Sequence, residues 1–206
     1  QGAERIATTA RLSVGGATAT IEDFRALVAG SLWKVLVFVA GLSSLVLVVL
    51  LRSLVLPLKA AVMNLLSVGA AYGVLTAVFQ HGWLEPLGVA AHGHVHSVTP
   101  TLLLAITFGL SMDYEVFLLT RVKERYAVHG DTVRAVAEGL QASARTISSA
   151  ALIMVAVFAV FAFVGVPTIR EMGLGLAVAI ALDATVVRLV LVPAMMVLFG
   201  RWNWWL

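Results

Sequence analysis

The sequence has no cysteine, which excludes disulfides, thiol nucleophiles and thiolate metal ligands. It is also poor in charge: 12% of its 206 residues are Asp, Glu, Lys or Arg, against roughly 25% in a soluble domain. No signal peptide is visible, because residues 1–30 are polar and mixed rather than a basic start followed by an apolar run. A phosphate-binding glycine loop, a metalloprotease signature, a serine elbow and internal repeats are all missing, so nothing asks for a cofactor. What is present is apolar: 61% of the residues are hydrophobic and the mean hydropathy is +1.00. This composition excludes a disordered chain and an ordinary soluble enzyme, and points to an all-α integral membrane protein. The net charge of +3 comes from basic residues scattered through loops, so nucleic acid is not the partner it indicates.

A hydrocarbon core of about 30 Å needs roughly 20 apolar residues in a helix. Five stretches meet that requirement: 32–51, 60–79, 100–120, 146–166 and 172–199. The last is long enough that it must tilt, kink or run past the bilayer, and Pro193 lies in its final third. With residue 1 outside, the inner segments carry eight basic residues (Arg52, Lys59, Arg121, Lys123, Arg125, Arg134, Arg145, Arg201) and the outer flanks three (Arg25, Lys34, Arg170). Positive charge favours the inside, which puts the C-terminus in the cytoplasm. Trp202, Trp204 and Trp205 then mark the inner interface, and Trp33 and Trp83 the outer one.

Residues 1–30 read as the end of an external domain whose body precedes residue 1. The outer segment 80–97 contains His81, His92, His94 and His96, and the alternate spacing of the last three would put them on one side of an extended strand. That arrangement can hold zinc; the competing reading is a histidine-rich exposed loop, since Gly93 loosens the geometry. In the inner segment 121–145, Asp131 is a good N-cap, and Val133, Val136, Ala137, Leu140 and Ala144 recur at helical spacing. An amphipathic helix over 131–144, lying along the inner interface and running into the fourth span, is expected; its alternative role is to bind a partner.

Four charges lie well inside the spans: Asp113, Glu115, Asp183 and Arg188. A carboxylate at the centre of a membrane helix costs about 2.5–3.5 kcal/mol or more, so it faces a bundle interior or a wet cavity and is a functional site by default. Thr99 and Pro100 suit the start of the third span. At the helical rise, Asp113 lies about 20 Å from the outer end of that span and Asp183 about 17 Å from the outer end of the fifth. If these helices pack together, the two acids can share a desolvated environment and exchange protons near neutral pH. Arg188 can snorkel inward or pair with a carboxylate on a neighbouring helix. Tyr114 stands about 100° round the helix from Asp113. Glu115 points roughly away from Asp113 and nearer the cytoplasm, so a wet or interfacial position is expected for it; with Asp183, Arg188 and Gly109 it is a candidate supporting or additional relay position. Gly109, one turn above Asp113, permits close approach of another backbone. The rival reading makes Asp113 a structural hydrogen-bond node.

The run FGLSMDYEVFLLTRVKERY, Phe108–Tyr126, resembles a span motif of the MmpL branch of the resistance-nodulation-division (RND) exporters. The stretches Leu51–Leu75 and Gly173–Met196 are similar to neighbouring spans of that family, and Val14–Ala19 to the end of its external porter domain. The resemblance covers nearly the whole chain, and the Asp-Tyr run is its specific part. It implies twelve spans in two related halves, each interrupted by a periplasmic domain, with this chain supplying the last five spans of an RND-type bundle. It also implies that protons flow through one Asp-Tyr pair per half and drive export of lipids or other hydrophobic molecules. Asp113 and Tyr114 match one pair; Asp183 matches an acidic position in the last span. The Asp-Tyr pair departs from the Asp/Lys relay of the drug-efflux branch.

The expected protein is therefore part of a proton-motive-force-driven secondary transporter of a bacterial inner membrane, not an enzyme. Its partners would be the N-terminal half of the same transporter, protons, a hydrophobic or lipid substrate, membrane lipids and, where it self-associates, further copies. Two rivals stand beside this: a membrane scaffold or sensor on the same fold, in which Asp113 is a buried structural acid, and an intramembrane hydrolase using Asp113 and Asp183.

Overall fold

The computed structural model of the chain describes residues 16–87, 89 and 93–204. Among these the chain forms helices and turns without a strand, and five helices are long and apolar enough to cross a membrane. Helix α1 is Ala17–Leu51 and stops where Arg52 takes the left-handed conformation (φ 49°), donating its N–H to Val48 O. Helix α2 is Val55–Leu75, followed by one π turn, Thr76–Gln80. Helix α3 is Val98–His129 and closes on Gly130 at φ 67°, a conformation glycine adopts without steric cost. Helix α4 is Thr132–Phe161, and Asp131 caps it by accepting from Val133 N at 2.9 Å. Helix α5, Pro167–Leu182, begins with proline at its first turn. It passes without a break into a π-wound segment, Asp183–Leu191, then α6, Val192–Phe199, and a 3₁₀ turn, Gly200–Trp204.

Several boundaries differ from the sequence expectation. The first 15 residues of the expected porter tail, together with His92 and Trp205, lie outside the described residues; from Ala17 onward the rest is helical. The fourth span ends at Phe161, and residues 162–166 turn the chain into α5. The amphipathic segment runs without a break into the fourth span, as expected: residues 132–144 are the first part of α4, held against α3 where Gly139 meets Val122. A Cβ on Gly139 would fall 2.7 Å from a Val122 methyl and 3.0 Å from its backbone, so only glycine allows these helices to come so close.

Helix α3 is the centre of the bundle and touches α1, α2, α4 and α5. Phe79, Leu103, Leu104, Phe108 and Leu176 form one apolar cluster toward the end bearing residues 81–87 and 93–97, the loop end. Leu47, Leu51, Met63, Leu119, Val122 and Met196 form another toward the opposite, C-terminal end. The outer faces of α1 and α4 expose large apolar side chains such as Phe38, Val49, Leu152 and Val160. Such a surface suits hydrocarbon and not water.

At the loop end, Glu171 of α5 is fully buried and accepts from His96 N (3.0 Å) and Thr99 Oγ1 (2.7 Å), while its other oxygen lies 2.8 Å from His96 Nδ1. A carboxylate here meets the positive, unsatisfied N-terminus of α3. Thr99 therefore binds Glu171 instead of capping its own helix, which starts at Val98 without a side-chain cap. Replacing Glu171 with Ala leaves the buried Thr99 hydroxyl and the half-buried His96 N–H unpaired. We expect a loss of about 1–3 kcal/mol, measured as a lower thermal midpoint of the full-length protein in detergent; an unchanged midpoint would show that this contact does not tie α5 to α3.

Candidate functional site

The intramembrane charges sort themselves by where the helix surface faces. Asp113 and Glu115 are two positions apart on α3, hence about 200° apart round its axis. Asp113 is exposed, on a strip of α3 that also exposes Leu102, Gly109 and Phe117. Glu115 is buried, with 8% exposure, among α2, α3 and the π segment. The expectation of a wet position for Glu115 is thus corrected: its side of α3 is the one packed inside the five-helix unit. Gly109 is open too, with nothing within 4 Å of where its Cβ would stand.

Asp183 and Asp113 do not share one environment within this chain. Asp183 is 6% exposed and Arg188 3% exposed, and they pair with each other: Nη2 lies 2.8 Å and Nε 2.9 Å from Asp183 Oδ2. Arg188 therefore neither snorkels nor reaches a neighbouring helix's carboxylate, as the sequence had led us to expect. The reason is the π winding. Residues five apart in an α-helix diverge by about 140°, whereas winding closed by i→i+5 hydrogen bonds places them one above the other. The segment Asp183–Leu191 has that winding, and it begins at the acid.

Arg188 also reaches α3. Its Nη2 donates to the Ser111 carbonyl and lies 3.3 Å from Ser111 Oγ. That hydroxyl donates to Asn64 Oδ1 on α2 at 2.6 Å. A polar chain, Asp183–Arg188–Ser111–Asn64, thus crosses three elements inside an apolar bundle. Asp183 Oδ1 and Arg188 Nη1 have no protein hydrogen-bond partner among the described residues. A cavity of about 10 Å³ adjoins them, lined also by Thr107, Ser111 and Tyr114, which is room for one water. Tyr114 is half-buried; its hydroxyl donates to Met154 Sδ at 3.4 Å, and the Arg188 guanidinium stands 4.9 Å from the centre of its ring. Adjacent residues thus serve different partners: Tyr114 turns to α4 and to Arg188, Asp113 to the open face.

Sequence reasoning did not pick out Ser111 or Asn64, since a lone Ser or Asn in a membrane helix is common. The signal that was available is the five-residue spacing of Asp183 and Arg188, which only makes a pair once π winding is allowed. On the histidines, His94 and His96 stand with rings 5.3 Å apart, and His96 is engaged by Glu171. Among the described residues no group of three or more His, Cys, Asp or Glu is placed to hold a metal.

Comparison with known proteins supplies the remaining observations. The model of the MMPL family matches residues 2–206. A "Mycolic acid-containing lipids exporter MmpL11" of Mycolicibacterium smegmatis is 56% identical over 197 residues, covering 96% of this chain and 21% of that protein. A "Heme uptake protein MmpL11" of Mycobacterium tuberculosis is 57% identical over 202 residues, 98% of this chain and 21% of the relative. A "Probable trehalose monomycolate exporter MmpL3" of Mycobacterium leprae is 37% identical over 195 residues, 94% of this chain and 20% of the relative. The chain spans about a fifth of the length of these relatives.

Proposed function

The chain belongs to the MMPL family, and from that premise we propose that it forms the last five spans of a proton-driven exporter of lipids or similarly hydrophobic molecules, carrying half of the proton relay. The observation that carries the reading is the open strip of α3. A carboxylate in mid-span cannot be left facing acyl chains without heavy cost, and Asp113 stands exposed beside an unobstructed Gly109. The natural cover is the other half of the transporter. Once docked, it would enclose Asp113 and place it against a second relay group, with the C-terminus cytoplasmic as the basic residues of the inner segments favour.

In this scheme Asp113 takes up a proton from the outer side and loses its charge, and the docked half shifts as that charge disappears. The Asp183–Arg188 pair, bound to the carbonyl of Ser111 two residues before Asp113, ties the same α3 segment to the π-wound rod. The charge state of the relay is thereby linked to the position of α6. The relatives' names speak of lipid export and of heme uptake; both cargoes are large, amphiphilic and poorly soluble, and the export reading follows the exporters among them.

The test is proton movement by the full-length protein in vesicles under an imposed pH gradient, with a pH-sensitive dye inside. Substrate-dependent proton flux supports the exporter; its absence in a folded, inserted protein supports the scaffold or sensor. Tyr114→Phe, which removes only a hydroxyl bonded to sulfur, should lower export by about tenfold at most; complete loss would assign the hydroxyl a direct part in proton transfer.

A further inference from the structure

We propose that Glu115 is the proton-release group on the C-terminal side of the bundle, and that Lys59 and Asn203 form the gate through which its proton leaves. The inference rests on the exporter reading and extends it to residues that the Asp-Tyr pair does not include.

Glu115 is the residue that three small cavities have in common. One joins it to Asn64, Ser111, Asp183 and Arg188. A second joins it to Lys59, between Met63 and Met196, and a third to Ser43, Ser44 and Asn64. Each is about 10 Å³, room for a single water. The carboxyl itself makes no hydrogen bond or ion pair among the described residues, although it lies within the electric field of Arg188 and Asp183. A buried acid facing water-sized spaces on two sides, and committed to no partner, is placed to pass a proton between them. Among the described residues, the charged or titratable groups that face it from the packed elements are Lys59 on α2 and Asp183 and Arg188 on the π segment; α1 offers the hydroxyls of Ser43 and Ser44.

Lys59, which lines the second cavity, is bonded to the C-terminal turn. Asn203 is fully buried. Its Nδ2 donates to Met196 O and Gly200 O, both at 2.7 Å, and its carbonyl accepts from Ser53 Oγ at 2.7 Å. Its side-chain oxygen accepts from Lys59 Nζ, which also approaches Met195 O at 3.4 Å and stands 4.3 Å from the centre of the Phe199 ring. The ammonium is therefore held at the edge of this cavity by the turn, and among the described residues no carboxylate pairs with it. In the proposed step the proton on the Glu115 carboxyl passes to a water in the Lys59 cavity and from there to the aqueous phase, leaving Glu115 as carboxylate. Lys59 keeps all its protons. Its charge stabilises the new carboxylate, and it must let go of Asn203 to turn inward, which opens that edge of the cavity. Glu115 is the proton carrier, and Lys59 and Asn203 are positioning residues.

Two measurements on the full-length protein in vesicles test this. The first is labelling of Glu115 by a water-soluble carbodiimide with a glycine amide nucleophile, added from the C-terminal side and read by mass spectrometry. Asn203→Ala should speed labelling by about tenfold or more, the effect of losing one charge-assisted hydrogen bond. Asn203→Asp, which clamps the ammonium with a charge, should slow it. The opposite signs keep the test decisive even if one variant folds poorly. The second is proton flux under an imposed gradient. Glu115→Gln and Lys59→Met should each lower flux by about tenfold or more, with Lys59→Arg restoring most of it. Equal labelling in the two Asn203 variants, or wild-type flux in Glu115→Gln, would overturn the gate. Asp113→Asn is measured in parallel: if it blocks flux while Glu115→Gln does not, this proposal alone fails; if Asp113→Asn conducts normally, the exporter reading itself fails.

Discussion

In the full-length protein, Asp113→Asn should reduce export at least about 100-fold, the scale set by removing a proton-transferring group, while leaving the protein folded and inserted. Asn keeps the size of Asp and can still hydrogen-bond, with one oxygen exchanged for an N–H donor group, but cannot ionise. Within the five-helix unit Asp113 has an open position and makes no hydrogen bond or ion pair among the described residues, so the substitution breaks none of these. In the full-length protein, where the docked half is proposed to enclose Asp113, the same-sized amide should move the thermal midpoint far less than it moves export. That separation makes the experiment informative. Loss of export together with a lower thermal midpoint would be explained by misassembly; loss of export with an unchanged midpoint isolates the proton. Unimpaired export by Asp113→Asn would remove Asp113 from the relay and return it to a hydrogen-bonding role.

The separation of Asp113 from Glu115 shows what the sequence could tell and where it stopped. That two acids at i and i+2 face opposite ways follows from helical geometry alone, and the structure has them so. Which of the two is buried does not follow, because that depends on which side α1, α2 and α5 occupy. The five apolar runs were legible because hydrophobic length is a one-dimensional signal, and the N-cap at Asp131 because a capping carboxylate acts on its own helix. Glu171 was not legible. It lies just inside the start of α5, where an acid normally meets water, and its burial depends on His96 and Thr99, more than 70 positions away in the chain. Asn203 was hidden among aromatic residues that read as an interfacial belt, although it anchors the turn that carries them. Trp204, read as a belt residue, stacks on Tyr126 at 4.4 Å between ring centres.

The second large effect is expected at Arg188. Among the described residues its guanidinium is the single positive partner of Asp183, and both groups are almost completely buried. Arg188→Ala would strand an uncompensated carboxylate inside the bundle, at a cost of about 3–5 kcal/mol. It would also free the Ser111 carbonyl that Arg188 binds. The double variant Asp183→Asn with Arg188→Met should recover most of that loss, because a neutral pair of similar volume needs no ion compensation. Arg188→Lys should recover little, since the guanidinium sets both Nε and Nη2 on the carboxylate while Nη2 also holds Ser111, and one ammonium has no second nitrogen for that. Thermal unfolding of the four full-length proteins in detergent gives the comparison. If the double variant is as unstable as Arg188→Ala, the pair is not the source of the cost, and the π winding must be held by the surrounding packing instead. If the double variant is stable but cannot export, the ion pair serves function and not folding. It would then be the linkage through which a proton on α3 is felt by the rod that ends at the C-terminal turn.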